Sequence, residues 1–118
     1  MCRVLIVEDN VDAAASMQWL VDFWGHDVYV ARDGAAGLNQ ALELRPDVVL
    51  ADIGLPRMDG YALARALRRE LPRAFLVAIT GYASPADRAM ALEAGFDYHL
   101  SKPANPATLE HLISTAGH

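Results

Sequence analysis

The chain is short of cysteine, of positive charge and of long apolar runs. Only Cys2 is a cysteine among 118 residues, which excludes an internal disulfide and fits a reducing compartment. Ten Lys and Arg against fifteen Asp and Glu leave a net charge of -5. That balance gives no electrostatic case for direct binding of nucleic acid or of an anionic membrane. No apolar stretch approaches the roughly 20 residues needed to cross a bilayer, so no membrane insertion is expected. The amino terminus runs straight into a strand pattern without a signal peptide, and the expectation is a cytoplasmic protein. Linkers, repeats and low-complexity segments are missing too, so one domain spanning 1–118 is expected. What is present is a 53% hydrophobic content, enough for a packed core and too high for a disordered chain.

Short apolar runs alternate with helical patterns five times. The strands read as 3–7, 27–31, 47–52, 75–80 and 97–101, and the helices as 12–24, 34–44, 60–71, 85–94 and 106–116. Strict alternation of this kind predicts a parallel sheet with helices on both faces. The punctuation agrees. Gly25 follows the first helix as a left-handed cap. Asp33-Gly34 opens the second, and Arg45-Pro46 ends it. Asp59 caps the third. Ser84-Pro85-Ala86-Asp87 opens the fourth with proline in its first turn, Gly95 closes it, and Asn105-Pro106 opens the fifth.

Four chemical pieces fall where strand patterns stop. Glu8-Asp9-Asn10 closes the run Val4-Leu-Ile-Val7. Asp52 ends Asp47-Val-Val-Leu-Ala-Asp52, and a turn follows at once. Thr80 and Lys102 end the last two strands. The carboxyl rim of an open α/β sheet is where such folds bind ligands, so all four can converge on one site. Carboxylates from two strands, with a backbone carbonyl and waters, suit the octahedral oxygen shell of Mg²⁺. Such a cation would draw phosphoryl oxygens toward Asp52 and offset charge during transfer. Thr80 offers a hydroxyl to a phosphoryl oxygen. Lys102 offers a cation that pairs with a carboxylate when no phosphate is there.

These residues carry a resemblance. Glu8-Asp9, Asp52-x-x-Leu-Pro-x-Met-Asp-Gly60, Thr80-Gly81 and Lys102-Pro103, in this order, resemble the receiver domain of two-component response regulators over essentially the whole chain. The resemblance implies a flavodoxin-like (βα)5 fold with strand order 2-1-3-4-5. It implies Asp52 as phosphoacceptor in a Mg²⁺-dependent reaction, fed by a histidine kinase or a histidine phosphotransfer protein. Asp9, Asp52 and the Gly54 carbonyl would ligate the metal, with Glu8 acting mostly through water. Thr80 and Lys102 would contact the phosphoryl group, and the Lys102–Pro103 bond would be cis. The domain would catalyse only its own phosphorylation and dephosphorylation, and would not be an enzyme acting on a metabolite. A homodimer formed on phosphorylation is compatible with this pattern. The finer strings Asp-Ile-Gly-Leu-Pro-Arg-Met-Asp-Gly-Tyr and Gly-Phe-Asp-Tyr-His-Leu-Ser-Lys-Pro resemble receivers attached to hybrid sensor kinases.

Other positions modulate this expectation. His99 stands where many receivers carry Tyr or Phe as a switch ring, and the alternative is a half-exposed strand histidine. His26, His111 and His118 read as surface residues. In the first helix Ala13, Met17, Leu20, Val21 and Trp24 repeat at helical spacing and should face the sheet. Trp19 falls roughly 140° from the centre of that stripe and Phe23 roughly 100°. They are candidates for seating a phosphodonor's helical bundle, with packing against the fifth helix or a dimer contact as the alternatives. Gly54 and Tyr82 flank the expected path of attacking water, which suggests slow loss of the phosphoryl group.

Three other classes compete. A Mg²⁺-dependent phosphatase with an aspartyl nucleophile would carry a second aspartate where this chain has Gly54. A flavodoxin-like cofactor binder would need a hydroxyl- and glycine-rich loop where Glu8-Asp9-Asn10 puts negative charge. A degenerate receiver acting only as an interaction module is opposed by intact Asp9, Asp52, Thr80 and Lys102.

Overall fold

The computed structural model describes residues 2–55, 58–81, 84–102 and 104–116. The elements run β1 (Arg3–Val7), α1 (Val11–Phe23), β2 (Asp27–Ala31), α2 (Gly34–Leu44), β3 (Val48–Asp52), α3 (Gly60–Glu70), β4 (Phe75–Thr80), α4 (Pro85–Ala94), β5 (Tyr98–Ser101) and α5 (Pro106–Ala116). The five strands form one parallel sheet in the order β2-β1-β3-β4-β5. This is the expected fold. Parallel strands need helical crossovers, and those crossovers cover both sheet faces.

Alternation along each strand divides the core in two. Leu5, Val7, Val49, Ala51, Leu76 and Ala78 pack against α2, α3 and α4. Val4, Ile6, Val48, Leu50, Val77 and Ile79 face α1 and α5 through Val21, Leu109, Leu112 and Ile113. The central strands are buried on both faces, which is why they read as continuous apolar runs. Truncating a side chain such as Leu50 to alanine would cost about 2–5 kcal/mol.

Helix starts follow the residues proposed for them. Asp33, Asp59, Ser84 and Asn105 each accept a hydrogen bond from the amide three residues on. Gly25 and Gly95 have φ of +90° and +122°, which suits glycine after a helix. Arg45 ends α2 in the left-handed region at φ 49°.

Boundaries shift by a residue at two strands for one shared reason. β3 begins at Val48 and β5 at Tyr98, not at Asp47 and Asp97. In both aspartates the backbone amide still pairs with the neighbouring strand, to Arg3 O at 2.8 Å and to Leu76 O at 2.7 Å. The carboxylate then replaces the backbone carbonyl as acceptor, for Arg3 N at 2.9 Å and Leu76 N at 2.8 Å. A side chain in the ladder ends the regular strand. In α1 the buried alanine is Ala14, while Ala13 is half-buried.

Candidate functional site

Strand order reverses between β1 and β3, and the crevice beyond their carboxyl ends is the topological switch point. Register fixes what reaches it. Val7 pairs with Ala51, so Glu8 and Asp52 follow on neighbouring strands and point to the same side of the sheet. Glu8, Asp9 and Asp52 each bring a carboxylate oxygen within 4.8 Å of the others. β4 and β5 complete the rim. The Lys102 amide donates to Thr80 O at 2.8 Å, tying the ends of these two strands together.

The Lys102 ammonium bridges both acids. Its Nζ lies 2.8 Å from Asp52 Oδ2 and 2.8 Å from Glu8 Oε1. Asp52 Oδ1 accepts from the Gly54 amide at 3.1 Å. Glu8 is only 1% exposed, and its Oε2 accepts from the Asn10 amide at 3.2 Å. The contact from Lys102 to Glu8 Oε1 has ion-pair length but is too oblique for a hydrogen bond. Among the described residues that buried oxygen has no hydrogen-bond partner.

Charge follows from burial. Desolvation pushes the Glu8 carboxyl above its usual value, and Asp52 beside it adds to the push, against the contacts from Lys102 and Asn10. For Lys102, burial opposes the charge, but its hydrogen bond to Asp52 and its close ion-pair contact with Glu8 outweigh that and hold the ammonium above its usual value. Two of the three clustered carboxylates, Glu8 and Asp52, thus share one lysine, an arrangement short of positive charge. A divalent cation fits it by three observations: the donors are all oxygens, they converge, and one buried oxygen is unsatisfied.

Local geometry presses the β3–α3 turn onto Asp52. The Gly60 amide donates to Ile53 O at 2.9 Å, and a Cβ at Gly60 would lie 2.7 Å from Asp52 O. Only glycine fits so near the site. At Gly54 a Cβ would meet nothing within 4 Å, so the space beside Asp52 is open there.

Sequence reasoning passed over the structural part played by Asn10. Its side chain caps α1 by accepting from Ala13 N at 2.9 Å, while its backbone amide holds Glu8. Asparagine directly before a helical pattern is a capping signal and could have located it.

His99 is 7% exposed, not half-exposed. It pairs in register with Ala78 and so faces the α4 side of the sheet, the side to which Thr80 also points. Among the described residues neither ring nitrogen has a hydrogen-bond partner. Trp19 and Phe23 are 65% and 72% exposed and stack on each other, with ring centroids 5.4 Å apart and planes 6° from parallel. Phe23 is therefore not buried against α5. A separate groove of about 410 Å³ runs between α1 and α5, lined by Met17, Leu20 and Leu109, and opens at Glu8 and Lys102. No helix among the described residues is long and apolar enough to cross a membrane. Pro103, Tyr82 and His118, with the Pro56-Arg57 part of the turn motif, lie outside the described residues.

Comparison with known proteins adds to this geometry. The family model described as "Response regulator receiver domain" matches residues 4–114. The transcriptional regulatory protein PrrA of Mycobacterium leprae is 39% identical over 101 residues, covering 86% of this chain and 43% of that protein. The chain therefore spans less than half the length of that curated relative. Among solved structures, the receiver domain of the sensor histidine kinase PA1611 from Pseudomonas aeruginosa PAO1 has a TM-score of 0.90 at 31% identity. It covers 99% of this chain and 98% of that one, and is described with a magnesium ion coordinated in the active-site cleft. A putative response regulator from Chloroflexus aurantiacus has a TM-score of 0.92 at 26% identity, covering 98% and 96% of the two chains.

Proposed function

The chain belongs to the response regulator receiver domain family, a signalling module of two-component systems, and from that premise we propose that Asp52 is its phosphoacceptor. One observation carries the reading: Lys102 is held by Asp52 and Glu8 at the switch-point crevice, among three converging carboxylates. An Asp52 oxygen attacks the phosphorus of a phosphohistidine on a histidine kinase or phosphotransfer protein. The P–N bond breaks, the imidazole nitrogen keeps the electron pair and takes a proton, and an acyl phosphate forms on Asp52. Thr80 donates its hydroxyl to a phosphoryl oxygen. Lys102 leaves its pair with Asp52 and contacts another.

Asp9, Asp52 and the Gly54 carbonyl would hold Mg²⁺, with the unsatisfied Glu8 oxygen accepting from a water in its shell. Bound there, the ion supplies charge that offsets the phosphoryl oxygens as they approach the carboxylate. The PA1611 receiver, with its magnesium ion, supports this choice of metal.

On the partner side, the donor approaches along α1 and the rim, with Trp19 and Phe23 part of the surface on which its helices seat. The signal leaves through the α4–β5–α5 face, where Met90, Leu92 and Tyr98 are exposed and a phosphorylated homodimer can form. His99 and Pro103 take part in that switch. The reading also puts the domain in the cytoplasm, with the kinases that supply phosphohistidine. The competing reading is a degenerate receiver that only binds partners. Intact mass after incubation with Mg²⁺ and acetyl phosphate separates them: one added phosphoryl group in the wild type and none in Asp52→Asn supports phosphoacceptance. No gain in the wild type, with Mg²⁺ binding verified separately, refutes it.

A further inference from the structure

β5 lies at the margin of the sheet, paired only with β4. His99 is nevertheless buried, on the α4 side of the sheet and in register with Ala78. A neutral imidazole offers one donor and one acceptor, and here neither ring nitrogen has a hydrogen-bond partner among the described residues. Burial without partners already costs free energy, and a proton would add a desolvated charge with two unmet donors.

The surroundings offer that charge little compensation. The charged groups that face the ring are Arg88 and Asp87 from α4 and Asp97, two residues before it. β4 brings only the apolar Ala78 and the uncharged Thr80. Burial opposes a proton on the ring most strongly, Arg88 adds to the opposition, and the pull of Asp87 is smaller than either. The Asp97 carboxylate is engaged elsewhere, accepting from the Leu76 amide and from Arg68.

A way out lies beside the ring. A groove of about 300 Å³ has Arg88 and Leu92 on its α4 wall and Asp97, Tyr98 and His99 on its strand wall. α4 is loosely held above it. Of its own side chains it buries only Ala91 and Ala94, whereas α3 buries Leu63 and Leu67, and α5 buries Leu109, Leu112 and Ile113. Segments with few buried apolar contacts open at the least cost. We propose that His99 makes the α4–β5 margin a proton-operated device: the neutral ring lies under α4, and the protonated ring turns out through the groove and loosens α4 from β5. Outside, water meets both N–H donors. Inside, α4 loses the ring beneath it. Tyrosine or phenylalanine at this place would give no such response between about pH 5 and 8. By reciprocity, whatever fixes the ring inside weakens its hold on a proton, and a proton weakens whatever fixes the ring inside. The device needs no phosphoryl group. Joined to the function proposed above, it makes proton concentration a second input to the face through which the signal leaves.

The test is an NMR titration of the unphosphorylated 118-residue chain from about pH 8 to about pH 5. It follows the His99 ring and the backbone amides of Arg88, Leu92 and Tyr98, with and without a soluble paramagnetic agent. His99 should bind its proton more weakly than the same residue does in the urea-unfolded chain. The three amides should shift with the same midpoint as the ring. Broadening of the ring signal by the agent should rise severalfold on acidification, while far-UV circular dichroism stays constant. His99→Phe keeps a ring and loses the titration, so its three amides should hold their alkaline positions at pH 5. Four results would each overturn the proposal: proton affinity equal to or above that of the unfolded chain, protonation with no shift of the amides, the same amide shifts in His99→Phe, or global unfolding at the His99 midpoint.

Discussion

Replacing Lys102 by methionine removes the only cation that reaches Asp52 and Glu8 among the described residues and keeps most of the aliphatic stem. Removing one partner of a fully buried ion pair costs about 3–5 kcal/mol, because the other charge stays desolvated. Here the Lys102 side chain is 31% exposed while Glu8 is 1% exposed, so solvent screens one partner and not the other. A loss of about 1–3 kcal/mol is the reasonable middle. For 118 residues the unfolding entropy is about 0.25 kcal/mol per degree, so Tm should fall by about 4–12 °C. Measured in EDTA, the drop reports the uncompensated carboxylates.

Added Mg²⁺ should then separate the electrostatic account from simple loss of packing. At ten times its dissociation constant a ligand stabilises by about 1.4 kcal/mol, or about 6 °C for the wild type. Lys102 repels the ion and must rearrange when it binds, so the variant should bind Mg²⁺ more tightly and recover part of its loss. Circular dichroism melts of both proteins across a Mg²⁺ titration decide the matter. An unchanged Tm in EDTA, or a smaller Mg²⁺ response in Lys102→Met than in the wild type, would refute the reasoning.

Glu8 should trade stability for metal affinity. Its folded pKa is raised mainly by burial, so the stabilisation from protonation is present at low pH and lost as pH rises through that value. Glu8→Gln should therefore melt higher than the wild type at neutral pH, converge with it in acid, and bind Mg²⁺ more weakly by calorimetry. His99 behaves oppositely: burial, then Arg88, lower its pKa against the pull of Asp87, so its stability contribution is lost as pH falls below the usual histidine value. His99→Phe should gain stability over the wild type at pH 5 and little at pH 7.5 in urea titrations. Gly60→Ala should lose about 2–4 kcal/mol by the same measurement, because its Cβ meets Asp52 O and Ile53 Cα at 2.7 Å. The acyl phosphate should be long-lived, since Gly54 presents no side chain to orient water; a half-life of seconds in purified protein with Mg²⁺ would contradict this.

Most of the fold was legible because local signals agreed. The β3 run is buried on both faces, so its apolar residues revealed its type and its end at Asp52, while its start fell one residue later than read. Caps at Asp33, Asp59, Ser84 and Asn105 rest on one side chain reaching an amide three residues away, a distance that sequence displays directly. What sequence missed depends on long-range contact. Nothing near Asp47 or Asp97 announces that their carboxylates take a place in the sheet ladder. Arg68 is a plainer case. Its guanidinium bonds Pro72 O, Ala74 O, Gly95 O and Asp97 at 2.7–3.2 Å, fastening α3 to the starts of β4 and β5. In the sequence it is one of several arginines on an amphipathic helix, and only tertiary structure separates it from Arg69, which is exposed.

The site itself was legible as a set of strand-end residues, but its energetics were not. Sequence placed Glu8 at a rim and left open whether it was solvated. Burial makes it the costliest acid of the three, and that cost explains the arrangement around it. A fully desolvated carboxylate persists only with compensation, here the Asn10 amide and Lys102. Both are local and both are insufficient, since one Glu8 oxygen still lacks a hydrogen bond. The rim is thus less stable than an apolar rim of the same shape would be, and it becomes more stable when positive charge arrives. Lys102 holds the place of that charge. When a phosphoryl group joins Asp52, the same ammonium can follow the new negative charge outward, and its backbone bond to Thr80 joins that movement to β4 and β5. On the proposed reading, coupling from chemistry to surface needs no long relay, because Lys102, which would contact the phosphoryl group, directly follows the strand that carries the buried His99 and the exposed Tyr98.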